Sequence, residues 1–177
     1  MRPLKILADL AETEGLRFLV VGGHAMIAHG STRITGDIDV SIIETDLARW
    51  CHSLAKAGYT IVHQTDAFVQ FRPPSRGQYP IDLMIVDAHT FEKMWRESVG
   101  GQSSGTPIQI PHPEHLIGMK IHALKYGARH RHAKDLGDVI HLMRRYRINP
   151  NHANFKKLSE KYGTPQIEAE IRIALQD

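Results

Sequence analysis

Val20-Val21-Gly22-Gly23-His24-Ala25-Met26, followed by Asp37-Ile38-Asp39-Val40, is the stretch on which the reading of this chain turns. Arg17 to Val21 reads as a buried strand, short and rich in Phe, Leu and Val, and cut off by Gly22-Gly23. A short helical stretch, His24 to His29, ends at Gly30. Asp37 to Ile43 alternates acid and aliphatic, which predicts a strand. Residues two apart on a strand share a face, with Cα atoms roughly 6–7 Å apart. The carboxylates of Asp37 and Asp39 therefore stand side by side, while Ile38 and Val40 pack the other face. Two like charges there are costly unless a cation or water lies between them.

A second acidic position points to the cation. In Tyr79-Pro80-Ile81-Asp82-Leu83-Met84-Ile85-Val86, Asp82 is the only charge in an apolar run that reads as another strand. Asp37, Asp39 and Asp82 on adjacent strands make a cradle for one or two Mg²⁺ (or Mn²⁺) ions, which prefer oxygen ligands and keep substrate phosphates as co-ligands. Two such ions can organise an in-line phosphoryl displacement. The strand, Gly-Gly turn and helix start ahead of the acids expose backbone N–H groups where an anion can bind, and glycine allows its close approach.

The whole string from Gly22 to Asp39 (Gly22-Gly23-His24-Ala25-Met26-Ile27-Ala28-His29-Gly30-Ser31-Thr32-Arg33-Ile34-Thr35-Gly36-Asp37-Ile38-Asp39) resembles the signature of DNA polymerase beta-like nucleotidyltransferases. His115-Leu116-Ile117-Gly118-Met119-Lys120, then Arg129, Arg131 and Lys134-Asp135-Leu136-Gly137-Asp138, is similar to the later motifs of the AbiEii-type, toxin–antitoxin branch. The resemblance implies metal binding by Asp37 and Asp39 and proton abstraction assisted by Asp82. It also implies nucleotide contacts from Gly22, Gly23, His24, Arg33, Thr35, Lys120, Lys134, Asp135 and Asp138. One departure is His24, where many active members carry a serine; histidine can still donate a hydrogen bond.

Several helical residues can be read without the family. Lys120 is flanked at helical spacing by Leu116, Ile117, Ala123 and Leu124, so its ammonium must reach an anion, such as a triphosphate, or snorkel to water. Lys134 and Asp138 are spaced for a surface i,i+4 pair, and Leu136, Val139, Ile140 and Met143 mark the core face of their helix. The histidines at 112, 115, 130, 132 and 141 match no zinc spacing.

Charge is unevenly spread. Residues 1–114 hold 10 Lys/Arg against 13 Asp/Glu, whereas residues 115–161 hold 11 Lys/Arg against Asp135, Asp138 and Glu160. That basic block fits either a polyanion partner or a solvated helical surface. Cys51 is the single cysteine, so neither an internal disulfide nor a cysteine zinc site can form. Apolar runs are far too short to span a bilayer, and Met1-Arg2-Pro3-Leu4-Lys5 leads into a helical pattern, so the expected setting is cytoplasmic and off the membrane.

The remaining pattern predicts a helix over 4–11 closed by Gly15, and one capped at Thr45-Asp46 and ended by Gly58. Strands are expected at 60–62, 67–72 and 79–86, a helix at 90–98, and a Gly/Ser loop at 100–106. Helices are expected over 113–126, 131–146, 151–162 and 165–176. The fold class is α/β (α+β): a nucleotidyltransferase fold with a mixed, mostly antiparallel sheet flanked by helices. Residues 1–110 form the α/β core, and 111–177 a helical segment closing the nucleotide site. The expected activity is Mg²⁺-dependent transfer of a nucleoside monophosphate from an NTP to a hydroxyl of RNA, such as tRNA, or of protein. A non-catalytic nucleotide-binding protein, acting through a cognate toxin or antitoxin, is the alternative from another class. A two-metal phosphodiesterase using the same acids is a third.

Overall fold

The structure is a computed structural model that describes residues 3–176. By contact density the chain divides into two compact units, with the boundary between His112 and Pro113.

The first unit begins with α1 (Lys5–Glu14), which ends where Gly15 takes the left-handed conformation at φ 61° and ψ 38°. That position suits glycine because it has no Cβ to clash. There follow β1 (Leu19–Val20), α2 (Gly22–Ala28), β2 (Ile38–Ile43), α3 (Leu47–Lys56), β3 (Thr60–Gln64), β4 (Phe68–Arg72), β5 (Ile81–Val86), α4 (Ala88–Arg96), β6 (Val99–Ser103) and β7 (Thr106–Ile110). The first five strands form one sheet in the order β1-β2-β5-β4-β3. Only β2 and β5 run parallel; the other three pairings are antiparallel. The sheet is thus mixed and mostly antiparallel, as the sequence predicts.

The parallel pair sits at the centre, and β2 reads accordingly. Ile38, Val40, Ser41, Ile42 and Ile43 are all buried, because α2 and α4 pack on this strand. Near-continuous burial is what a strand covered on both faces requires. Trp50, Phe71, Phe91, Leu54 and Leu83 complete the core. At the edge, every residue of β3 is exposed, Ile61 and Val62 among them.

Three local expectations are corrected. Residues 100–106 are not a loop: β6 and β7 form a hairpin across Ser104 and Gly105, both at positive φ (49° and 76°). Two consecutive positive φ values give a turn whose twist matches a hairpin. Glycines at 100 and 101 had removed the side-chain alternation that would have announced a strand. Next, Asp37 lies in the bend just before β2, not within it. Finally, a 3₁₀ turn at Glu44–Asp46 precedes α3, and no side chain caps that helix.

The second unit is helical: α5 (Pro113–Tyr126), α6 (His132–Arg145), α7 (Ala153–Tyr162) and α8 (Pro165–Gln176). Helix α5 packs on the other three. At Gly118 a Cβ would stand 3.3 Å from the Tyr162 ring, so the small residue admits the α7 aromatic. Among the described residues no helix is long and apolar enough to cross a membrane.

Phe71, 1 % exposed on β4, tests the sheet core. Phe71→Ala is expected to cost about 3–5 kcal/mol, read as a lower urea midpoint with an unchanged slope. A midpoint equal to that of the parent chain would contradict the buried assignment.

Candidate active site

The parallel register of β2 and β5 sets Asp39 directly opposite Asp82. Neighbouring strands lie about 4.8 Å apart, and partners in register share a face. Two half-buried carboxylates are therefore held side by side by backbone geometry. On β4, Gln70 stands opposite Asp82, and its Nε2 donates to Asp82 Oδ2 at 3.1 Å. Nothing in the sequence around Gln70 singles it out; the register reveals it.

Asp37, just outside the strand, is held separately. Thr35 Oγ1 donates to Asp37 Oδ1 at 2.7 Å. Asp39 turns back toward the glycines, where the Gly23 N–H points to Asp39 Oδ2 at 3.4 Å. Gly22 has φ +56°, and a Cβ there would fall 1.8 Å from Asp39 Oδ2. A Cβ on Gly23 would fall 2.2 Å from Thr35 Oγ1. Both glycines are thus needed so that Asp39 and Thr35 can come in against the backbone. The expected exposed anion-binding turn is instead the first turn of α2, with one of its N–H groups facing Asp39.

His24 points inward. It is 5 % exposed, and its Nδ1 lies 2.9 Å from the Ser103 Oγ of the β6–β7 hairpin. Its ring meets Tyr79 edge-on at 6.2 Å. Burial pulls its pKa below the ordinary histidine value, against the opposing pull of Asp39 and then Asp37. Ser103 carries no signal in the sequence, because the glycines at 100 and 101 hide the strand it ends. Arg33 is half-buried in the segment leading to Asp37, its backbone N–H directed at Ser31 Oγ, 3.4 Å away.

Among the described residues no three His, Cys, Asp or Glu side chains stand together as a closed metal-ligand group. The donors that are adjacent, Asp39 and Asp82, nevertheless suit a hard divalent cation. Their atoms are all carboxylate oxygens, and Mg²⁺ typically takes one or two carboxylates and leaves its other positions to water and substrate phosphates.

In the helical unit, Lys120 reaches an anion, and the protein itself provides it. Lys120 Nζ lies 2.8 Å from Asp135 Oδ1 and 2.7 Å from Asp138 Oδ2, with all three residues buried. Asp138 therefore serves this buried triad, where the spacing had allowed a surface pair with Lys134. Lys134 is exposed. Of the histidines, His132 Nε2 sits 2.7 Å from Glu170 Oε2.

Solved structures share this architecture. ANT(2'')-Ia, solved with adenylyl-2''-tobramycin, is similar over 96 % of this chain and 94 % of that one, at 16 % identity and a TM-score of 0.66. The lincosamide antibiotic adenylyltransferase LnuA, lincomycin-bound, is similar over 79 % and 94 % of the two chains, at 15 % identity and a TM-score of 0.58. An antigenic nucleotidyltransferase-like protein from Paracoccidioides brasiliensis is similar over 96 % and 90 %, at 16 % identity and a TM-score of 0.56. At these identities the likeness is one of fold, and the fold is that of the nucleotidyltransferases. No curated protein sequence matches the chain. Residues 5–177 match the family model described as nucleotidyl transferase AbiEii toxin, type IV toxin–antitoxin system, and the chain belongs to that family. It is a nucleotidyltransferase by family.

Two substitutions test this geometry. Gly22→Ala is expected to cost about 1–2 kcal/mol from its left-handed backbone alone, and to abolish transfer by displacing Asp39. Unchanged melting temperature and activity would refute the close approach. Lys120→Met strands two buried carboxylates and is expected to cost about 3–5 kcal/mol, whereas adding Asp135→Leu and Asp138→Leu should restore most of the loss. A Lys120→Met chain as stable as its parent in urea would rule the triad out as a structural element.

Proposed function

We propose that this chain catalyses Mg²⁺-dependent transfer of a nucleoside monophosphate from an NTP to a hydroxyl of RNA, with tRNA as the favoured class. A protein hydroxyl is the other acceptor to be tested. The observation that carries the reading is the register of β2 and β5, which pairs Asp39 with Asp82. Such paired oxygens beside a glycine turn have a clear use in handling a triphosphate.

In this reading the acceptor oxygen bonds to the α-phosphorus as the bond from that phosphorus to the bridging oxygen breaks, and pyrophosphate leaves. Asp82, oriented by Gln70, takes the hydroxyl proton. Asp39 and Asp82 would hold Mg²⁺ (or Mn²⁺), with Asp37 as the third proposed ligand. When bound, the ion offsets the charge of the triphosphate. Thr35 fixes the orientation of Asp37. Gly22 and Gly23 let Asp39 and Thr35 close against the first turn of α2, the turn proposed to face the triphosphate. His24 occupies the sequence position at which many active members carry serine; its ring is turned inward to Ser103, so its proposed contribution to the nucleotide is to brace the first turn of α2. Arg33, Lys134 and the Lys120–Asp135–Asp138 group are assigned to the nucleotide as well, the last by fixing the relation of α5 to α6.

The basic character of residues 115–161 supports RNA over a neutral acceptor. The family's toxin–antitoxin context makes a cognate antitoxin a further proposed partner, and the cytoplasm is where NTP and RNA meet.

The test is transfer from α-labelled NTPs, each supplied singly with Mg²⁺, to total RNA and to cell protein, beside an Asp37→Ala/Asp39→Ala control. Label on RNA that disappears in the control is the expected result. Label confined to protein would replace the acceptor, and no label from a folded protein would overturn the reading.

A further inference from the structure

The buried triad changes what the basic block presents to solvent. Between residues 115 and 161 the chain carries 11 Lys/Arg and three acids. Asp135 and Asp138 are buried against Lys120. The other cations of that stretch are all exposed, and Glu160 is its one exposed carboxylate. On α8, Glu168 is taken by Arg172 and Glu170 by His132. Two of the acids of residues 115–161 are thus withdrawn from the surface, while ten of its eleven cations stay there.

Within that surface one segment differs from the rest. At the end of α5, Tyr126 is 67 % exposed. Lys125 Nζ lies 5.0 Å from the centre of its ring, and the His122 ring lies 4.7 Å away, inclined by 49°. Gly127 then turns the chain. Its N–H donates to Ala123 O at 2.7 Å, and a Cβ there would stand 2.4 Å from that oxygen. The tight turn delivers a 3₁₀ segment, Arg129–Arg131, in which every residue is exposed. Arg131 Nε keeps a 4.0 Å contact with Asp135. An aromatic ring open to water, with cations on its own turn and on the next, presents a stacking face beside phosphate-binding charge.

We propose that residues 122–131 form a docking surface for single-stranded RNA, with an unpaired base stacked on Tyr126 and flanking phosphates held by Lys125, Arg129 and Arg131. The inference rests on the RNA-acceptor reading above and adds where such an acceptor is gripped. Base-on-aromatic stacking beside cations is how unpaired nucleic acid is bound without sequence preference. Duplex bases are already stacked and offer no face to the ring. An acidic peptide would answer the cations but leave the ring open. A bilayer would need an apolar flank, and the ring's neighbours on α5 are His122 and Lys125.

The experiment is fluorescence anisotropy with a labelled single-stranded oligo(A) RNA and the full chain carrying Asp37→Ala/Asp39→Ala, so that no transfer intervenes. Tyr126→Ala is expected to weaken binding by roughly 5- to 100-fold, and Tyr126→Trp to retain it. Lys125→Gln/Arg129→Gln should reduce the dependence of log K on log salt by about 1.4, at ~0.7 per phosphate contact on single strands. These residues are exposed, so melting temperatures should not move. Binding indifferent to Tyr126→Ala, equal grip on duplex RNA, or retention by phosphatidylserine vesicles without RNA binding would each overturn the proposal. Label transfer by the unsubstituted chain separates the two readings. Tyr126-dependent binding without transfer keeps this surface and removes the acceptor assignment, and transfer with Tyr126-independent binding does the reverse.

Discussion

The structure depends on a repulsion that the backbone enforces. Because β2 and β5 are parallel and in register, Asp39 and Asp82 cannot separate without breaking the centre of the sheet. Like charges on neighbouring strands repel unless a cation or polar partners come between them. The fold supplies a donor to each acid. The Gly23 N–H faces Asp39, Gln70 donates to Asp82, and Thr35 donates to Asp37. These contacts orient the carboxylates, and an all-oxygen donor set of this kind suits a hard divalent cation that would also meet the phosphates of a triphosphate.

The same constraint explains the glycines. A turn made of Gly-Gly is often credited only with letting a ligand approach. Here the first occupants of the space above Gly22 and Gly23 are Asp39 and Thr35, side chains of the protein itself. Asp39 and Thr35 are packed against the main chain, and the missing Cβ at Gly22 and at Gly23 makes room for one side chain each. His24, turned inward to Ser103, extends that packing to the β6–β7 hairpin and makes a segment distant in sequence part of the site's support.

The legible parts of this chain were those written in side-chain periodicity or in spaced charges. The Asp-x-Asp pair, the lone Asp82 in its apolar run, and the helices of the second unit all carry such signals, and α5 and α8 have the bounds the pattern predicts. What escaped lacked them. The β6 strand is Val-Gly-Gly-Gln-Ser, without alternation, and only its partner and a two-residue turn reveal it. Gln70 is an unremarkable polar residue until register places it opposite Asp82. Lys120 was recognised as needing an anion, but helical spacing within α5 cannot say that α6 brings two. Long-range pairing, not local pattern, decided each of these.

The Lys120 triad also shapes the surface around it. One ammonium faces two carboxylates, all three nearly excluded from water. Buried charges need close partners. From an exposed position the Arg131 guanidinium adds to them, its Nε 4.0 Å from Asp135 Oδ2. A cation tied in this way from outside fixes the start of α6, and with it the Arg129–Arg131 turn that precedes it. The buried acids therefore do more than cancel a lysine. They remove negative charge from the surface and anchor one of the cations that remain there, so the core of this unit sets the electrostatic character of its exterior.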